Sequence, residues 1–275
     1  MATPENRVAL VTGASSGIGQ ACAGYLAERG LRVYGTSRAG AVAASASQGT
    51  AAMLRMDVTL EESIASAVAA VLEREGRLDI VVNNAGIAVA GPLESTPLEA
   101  AKRQLDVNFF GAVRVCRAVL PVMRRQRSGW IVNIGSIGGL VAIPYQAHYS
   151  ASKFALEGMS EALRLEVRPL GIRVVLIEPG DTRTGLTENR RVFEANGSDG
   201  AYASLAAAVG RMAEDEKNGI APGEVARLVW RIVNHPNPRL RYTAGPPLER
   251  AAVWLKRFLP HAALEYGMRR YYRLR

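Results

Sequence analysis

Val8-Ala9-Leu10-Val11-Thr12-Gly13-Ala14-Ser15-Ser16-Gly17-Ile18-Gly19 joins an apolar, β-prone run to a glycine-rich turn, and a helix-prone stretch, 17–29, overlaps its end. Glycines in such a turn let a backbone come close to a pyrophosphate. The helix start adds unpaired N–H groups and the positive end of a dipole. A tight turn with one glycine at positive φ would account for part of the pattern. The strand–loop–helix setting, in the first such unit of the chain, favours dinucleotide binding.

Outward from that loop the same rhythm repeats. Short apolar runs at 8–12, 32–37, 51–56, 80–83, 130–134 and 174–178 alternate with helical stretches at 17–29, 60–74, 98–125, 151–170 and 223–233. Several runs are apolar on both faces, as strands of a parallel sheet covered by helices on each side must be. The alternation predicts a doubly wound, Rossmann-type α/β sheet in a single domain, 1–275. No fixed-period repeat appears, and no Pro-, Gly- or Ser-rich linker divides 1–180. After Pro179 the rhythm breaks into 181–222, helix-prone at 201–212. That reads as an insertion beyond the sixth strand, where open α/β sheets bind ligands. A further strand is expected at 241–244, then a helix at 248–259 within a basic extension, 245–275.

The composition, 48% hydrophobic and 21% charged over 275 residues, is that of an ordinary globular chain. Its two cysteines, Cys22 and Cys116, are too few for a disulfide scaffold or a zinc cluster, and no metal site is expected. No apolar run approaches the roughly 18 residues that span a bilayer. The polar start, 1–7, leads straight into a strand rather than forming a signal peptide. A soluble, cytoplasmic protein is the expectation. The net charge of +9 is unevenly spread: 1–180 carries 18 basic residues against 15 acidic, whereas 223–275 carries 11 against 3. No basic stripe with interleaved aromatics crosses the body, so no nucleic-acid partner is expected. The ending Arg269-Arg270-Tyr271-Tyr272-Arg273-Leu274-Arg275 has the charge to touch an anionic membrane. The simpler expectation is a solvated tail after a packed helix, without membrane contact.

Thr36-Ser37-Arg38 ends the second strand. A carboxylate there would accept bonds from an adenine ribose and repel a 2′-phosphate. A hydroxyl followed by a guanidinium instead suits a phosphate dianion. Tyr149-Ser150-Ala151-Ser152-Lys153 places a phenol and an ammonium four residues apart, on one helical face. With nine Tyr and four Lys in 275 residues, that spacing seldom arises by chance. Ser136 lies at the end of the preceding strand, where side chains point into the ligand crevice. His148, about 100° around the helix from Tyr149, reads as surface or packing. His235 and His261 lie near prolines with no partner motif.

These residues, in this order, resemble the short-chain dehydrogenase/reductase superfamily in its compact form, over most of 6–184. The glycine loop, with Gly13, Ser15, Ser16, Gly17, Ile18 and Gly19, matches its pattern. Asp57 with Val58 matches its adenine-contacting acid. Asn83 with Asn84, Ala85 and Gly86 matches the segment that supports sheet and cofactor. Asn108, Ser136, Tyr149 and Lys153 match its four catalytic positions, and Pro179, Gly180, Thr182 and Thr184 the turn that holds the nicotinamide carboxamide. Thr36-Ser37-Arg38, 154–158, 163–166 and Glu178-Pro179-Gly180 resemble the hydroxysteroid and retinol dehydrogenase branch.

The resemblance implies hydride transfer between a nicotinamide and a carbonyl or alcohol carbon, with NADP (as NADPH) selected through Ser37 and Arg38. Tyr149 would act as general acid, Ser136 would fix the substrate oxygen, and Lys153 would favour the phenolate and hold the nicotinamide ribose. Asn108 would hold a water that links Lys153 to solvent. A sensor that has lost catalysis, or a longer-chain epimerase or dehydratase, are the competing readings; the intact four-residue set and the loop spacing argue against them. The substrate is expected to be a mainly apolar ketone, aldehyde or alcohol. It would lie between 137–145 and a lid in 181–222 carrying Leu186, Phe193, Tyr202, Leu205 and Val209. The stretch 98–125 is apolar through Leu105, Phe109, Val113, Cys116 and Leu120 and again through Phe110, Val115, Val119 and Val122. Two stripes exceed what one core face requires, and a homodimer or homotetramer is expected.

Overall fold

The computed structural model describes residues 7–39, 49–194 and 200–274; the polar start at 1–6 and the terminal Arg275 lie outside the described residues. Strands β1 (Val8–Val11), β2 (Arg32–Ser37), β3 (Ala52–Arg55) and β4 (Ile80–Asn83) are followed by a short β5 (Val89–Ala90) and then by β6 (Gly129–Ile134) and β7 (Ile172–Pro179). Beyond them lie a short β8 (Arg191–Val192) and β9 (Arg241–Ala244). Seven strands form one sheet in the order β3-β2-β1-β4-β6-β7-β9, every pair parallel. This is the doubly wound sheet expected from the alternation. Its order reverses between β1 and β4, so the crevice for a ligand opens at their carboxyl ends.

Helices α1 (Gly17–Glu28), α2 (Glu61–Glu75), α3 (Leu98–Leu105), α4 (Gly111–Gln126), α5 (Ala147–Val167), α6 (Leu205–Asn218) and α7 (Pro222–Val233) cover the sheet and its insertion. Strand residues alternate between faces. Val8 and Leu10 join one core with Ile64 and Val68 of α2, Val115 and Val119 of α4 and Leu163 of α5. Ala9 and Val11 join the other with Cys22 and Leu26 of α1 and Val225 and Val229 of α7. Burial on both faces explains why the strands read as unbroken apolar runs.

The structure departs from the expected elements in four places. The single helix expected over 98–125 is broken by a π turn, Asp106–Phe110, between α3 and α4. The helix expected at 151–170 begins at Ala147 and ends at Val167, where Pro169 and the left-handed Gly171 (φ 78°) tighten the chain into a 3₁₀ turn. In the insertion, α6 lies later than 201–212, and β8 pairs with β5 in a second small sheet that two-residue strands could not announce. Finally, the C-terminal helix is less covered than expected and the tail less free. Helices α8 (Pro247–Leu255) and α9 (His261–Tyr271) contain no buried residue, while the tail's Tyr271 hydroxyl reaches Asp215 of α6 at 2.8 Å. Of the described helices, none is long and apolar enough to cross a membrane.

Candidate active site

The glycine loop leaves β1 at Gly13, whose φ of 65° suits glycine and whose Cβ, if present, would lie 2.9 Å from the Cα of Ala85. A Cβ on Gly19 would run into the Gly13 carbonyl, so α1 packs directly on the loop. Asn84 fixes the loop by donating Nδ2–H to the carbonyls of Thr12 (3.0 Å) and Gly13 (3.1 Å). The Thr12 hydroxyl in turn accepts from the backbone N–H groups of Asn84 and Ala85, both at 2.9 Å. Ser16 caps α1 without a side-chain bond, and the first turn carries no acid. Ser15 and Ser16 are exposed, and Gly17 and Ile18 are partly exposed. The start of α1 is thus a backbone cradle that suits a pyrophosphate, and Thr184 closes against Gly17 from the insertion.

At the end of β2, Ser37 is partly exposed and Arg38 exposed. Burial works to raise the Asp57 carboxyl, but bonds from the Thr59 N–H (2.9 Å) and hydroxyl (2.7 Å) outweigh it; with the charges of Arg103 and Arg38 they hold Asp57 below its ordinary value. Val58 is buried against Gly111. Asn83, behind the loop, donates to the Asn133 side-chain oxygen at 2.9 Å, and Asn133 donates to Ser160 at 2.7 Å, tying β4 to β6 and α5.

Asn108 sits in the π turn beside Gly86. Its oxygen accepts from the Ile87 N–H at 2.8 Å, and its amide donates to the Ile87 carbonyl (3.0 Å) and to the Ser152 hydroxyl (3.1 Å). Ser152 then donates to the carbonyl of Tyr149 at 2.7 Å. A cavity of about 10 Å³ beside Asn108 is lined mainly by apolar groups, among them Val58, Val107, Val115 and Leu156, with Thr12 and Asn83 as its other polar members. Ser136 follows β6; its hydroxyl accepts from the Gly138 N–H at 3.0 Å and lies, like the ring of the Tyr149 phenol, against Gly138. Burial pushes that phenol up to about 12, with the charges of Glu216 and Glu178 acting the same way and the neighbouring Ser136 and Arg190 opposing. One turn along α5, the buried Lys153 donates to the Ile134 carbonyl at 2.9 Å, with its Nζ 5.9 Å from the Tyr149 ring centre. Burial lowers its ammonium to about 8, against the pull of Glu178. The four residues named from sequence therefore meet at one end of the crevice. Pro179 and Gly180 end β7 beside them, where the Gly180 N–H donates to Ala244 (2.6 Å) and Thr182 donates to Gly180 (2.9 Å).

Sequence reasoning missed two contributors. One is Ser152, which links Asn108 to Tyr149. The other is Glu178, fully buried in β7, whose Oε2 accepts from the Ser136 N–H at 2.6 Å. Burial, and after it the neighbouring Glu157, push Glu178 well above the usual carboxylate range. Oε1 of each acid is buried without another partner, while Oε2 of Glu157 is held by Arg241. A charged residue inside an apolar strand, Leu176-Ile177-Glu178, was the available signal.

On the substrate side the insertion is stitched down: Arg191 N–H donates to Ala88, Phe193 N–H to Ala90, and Gly91 N–H to Tyr145. Tyr202 meets Tyr145 edge-on, with ring centres 6.4 Å apart. Of the expected lid residues, Leu205 is buried, and Leu186, Phe193, Tyr202 and Val209 are partly exposed. Arg190 is buried in an ion pair with Glu216, while Arg183 and Arg191 are exposed. Among the described residues, no group of three or more His, Cys, Asp and Glu could hold a metal.

The short chain dehydrogenase family model matches residues 7–195. The chain is 43% identical over 270 residues to a 3-ketodihydrosphingosine reductase of Bacteroides thetaiotaomicron, covering 98% of this chain and 99% of that protein. It is 36% identical to estradiol 17-beta-dehydrogenase 1 of Rattus norvegicus, covering 86% of this chain and 73% of the other. A solved short-chain dehydrogenase from Streptomyces avermitilis superposes with a TM-score of 0.78 at 35% identity, covering 92% and 95% of the two chains. Two further structures, each 26% identical, hold different cofactors. A 3-ketoacyl-(acyl-carrier-protein) reductase from Brucella melitensis is complexed with NADH (TM-score 0.72; 88% and 98% covered). A serine dehydrogenase is complexed with NADP+ (TM-score 0.73; 87% and 94% covered).

Proposed function

Because this chain belongs to the short-chain dehydrogenase/reductase family, in its hydroxysteroid and retinol dehydrogenase-like branch, and is a hydride-transfer oxidoreductase, we propose that it reduces the ketone of a mainly apolar, long-chain substrate with NADPH. The convergence of the Tyr149 phenol, the Ser136 hydroxyl and the Lys153 ammonium at one end of the crevice carries this reading. The cradle at Gly13 and Gly19, the open start of α1 and Thr184 would hold the dinucleotide, with Asp57 and Val58 at its adenine and Pro179, Gly180 and Thr182 at its nicotinamide. Arg38, exposed where β2 ends without a carboxylate, supports NADP over NAD. When bound, that cofactor supplies the hydride.

The protein's part is proton delivery and orientation. Ser136 donates to the carbonyl oxygen as negative charge grows there, and Tyr149 gives its proton to that oxygen. A phenol held near 12 stays protonated at neutral pH, which suits reduction. Lys153 places a cation near the phenolate left behind and lowers its cost. The Asn108–Ser152 pair steadies the first turn of α5. In this reading the apolar Ile137, Leu140, Val141 and Ile143 of the segment after Ser136 would meet the substrate, and the name of the Bacteroides relative points to a ketone on a long alkyl chain. Pairing of copies through α4 and α5, as a dimer or tetramer, belongs to the same reading.

The test is kcat/KM for NADPH oxidation with 3-ketodihydrosphingosine against that with a small carboxylated or phosphorylated ketone. A clear preference for the long-chain ketone is expected. Preference for the anionic ketone would overturn the apolar-substrate assignment.

A further inference from the structure

Helix α8 packs with its polar side inward. Hydrogen bonds from Lys256 N–H to Ala252 (3.0 Å) and from Leu259 N–H to Leu255 (3.1 Å) carry its winding on to residue 259. At 100° per residue, Leu248, Ala251, Trp254, Leu255, Phe258 and Leu259 fall within an arc of about 140°. That arc faces solvent, with Leu248 72%, Trp254 60% and Phe258 68% exposed, and the Trp254 and Phe258 rings lie 4.9 Å apart. Glu249, Val253 and Lys256 share the opposite side and are only partly exposed.

The anchors are on that inner side. Glu249 Oε2 accepts from the Asp181 N–H at 2.9 Å, beside the nicotinamide turn. Lys256 donates to the Leu140 carbonyl in the loop after Ser136, and its Nζ lies 5.4 Å from the Phe154 ring centre. Helix α9 is tied similarly, since Tyr271 bonds Asp215 and lies under Arg211, 4.7 Å from the ring centre. An amphipathic helix ordinarily turns its apolar stripe to the core. Here the body binds the polar stripe, and the apolar one is left facing out across the substrate side of the site.

Charge indicates what covers it. Arg250 and Arg257 flank the apolar arc and make no ion pair among the described residues, and 246–275 carries seven basic residues against two acidic. A two-fold pairing through this face would bring like charges together. An anionic lipid surface would neutralise them and take up the Trp, Phe and Leu side chains. We propose that α8 is a peripheral docking element that lays its outward apolar arc on the surface of an anionic bilayer. Because α8 is fixed to Asp181 and Leu140, docking sets the mouth of the crevice against the lipid. The surface stands apart from the hydride-transfer reading, and its test reads binding rather than turnover.

The experiment is sedimentation of the full chain with vesicles of phosphatidylglycerol and phosphatidylcholine in equal parts, and with phosphatidylcholine alone. The parent is expected to sediment with the anionic vesicles and far less with the neutral ones. Trp254→Ser combined with Phe258→Ser should lower the partition coefficient at least about tenfold while the melting temperature stays unchanged, as both side chains are exposed. Arg250→Glu with Arg257→Glu should abolish the preference for anionic lipid. The proposal is overturned if the parent stays in the supernatant or if the double serine variant sediments as the parent does. It is equally overturned if that variant halves the particle mass in light scattering, which would make the patch a seat for a second copy.

Discussion

Glu178 lies in β7 after Val175, Leu176 and Ile177, all without measurable exposure, and it occupies the place where the Ser136 N–H needs an acceptor. Because burial raises its carboxyl well above the usual range, an uncharged amide of the same shape should replace it well. Glu178→Gln is expected to keep most of the stability and turnover. Glu178→Leu strands a buried N–H and should cost about 1–3 kcal/mol in chemical denaturation, with a fall in kcat. Equal loss in both variants would show that the charge, not the hydrogen bond, is what matters. At the edge of the same crevice, Arg38→Leu should weaken NADPH binding roughly ten- to a hundredfold, the worth of a charge-assisted contact of about 1.5–3 kcal/mol, and leave NADH binding nearly unchanged. Equal losses would make Arg38 structural. Tyr149 and Lys153 were legible in sequence because their partnership is local, four residues on one helix. Glu178 and Ser152 were not assigned roles, because their partners stand on other elements and no local spacing records a contact made across the fold.

Short strands set between helical stretches were legible: β2, β4 and β9 begin and end where the expected runs do. The π turn was not, since one extra residue per turn leaves the apolar pattern of 98–125 nearly intact while turning Asn108 toward Ile87 and Ser152. The two-residue β5 and β8 carry too short a pattern to read. Helix α8 was read as packed from its apolar content, because sequence cannot say which side the body will bind. Its attachment carries its own pH dependence. Burial, then the bond to Glu249 and its charge, and then Asp215 and Glu216, raise Asp181 to about 9. An acid raised on folding stabilises fully below its unfolded value, about 4, and that contribution is lost as pH rises through about 9. Hydrogen exchange in α8, corrected for intrinsic rates, should therefore show more opening near pH 10 than near pH 7. Asp181→Asn should remove the difference. An unchanged pH response in that variant would contradict the assignment to Asp181.

At the scale of the molecule, the parallel sheet, its reversal between β1 and β4 and its two apolar faces follow from strand–helix alternation, which is why the fold was readable before any coordinate. The outer surface was less so, because an exposed apolar residue reads the same whether it meets a core, a second copy or a lipid. On the π turn before α4 and on α5 the exposed Phe110, Phe154 and Leu165 remain after the core is satisfied. A homodimer or homotetramer is expected in light scattering at micromolar concentration, and a particle of 29.5 kDa would contradict it. The central claim concerns one atom, the phenolic oxygen of Tyr149, beside which the end of β6 sets Ser136 and α5 sets Lys153. Its most direct test is NADPH oxidation with the long-chain ketone by Tyr149→Phe, with NADPH affinity measured alongside. The account predicts unchanged affinity and a kcat lowered at least about a hundredfold; a variant that keeps more than about a tenth of the parent kcat would contradict it.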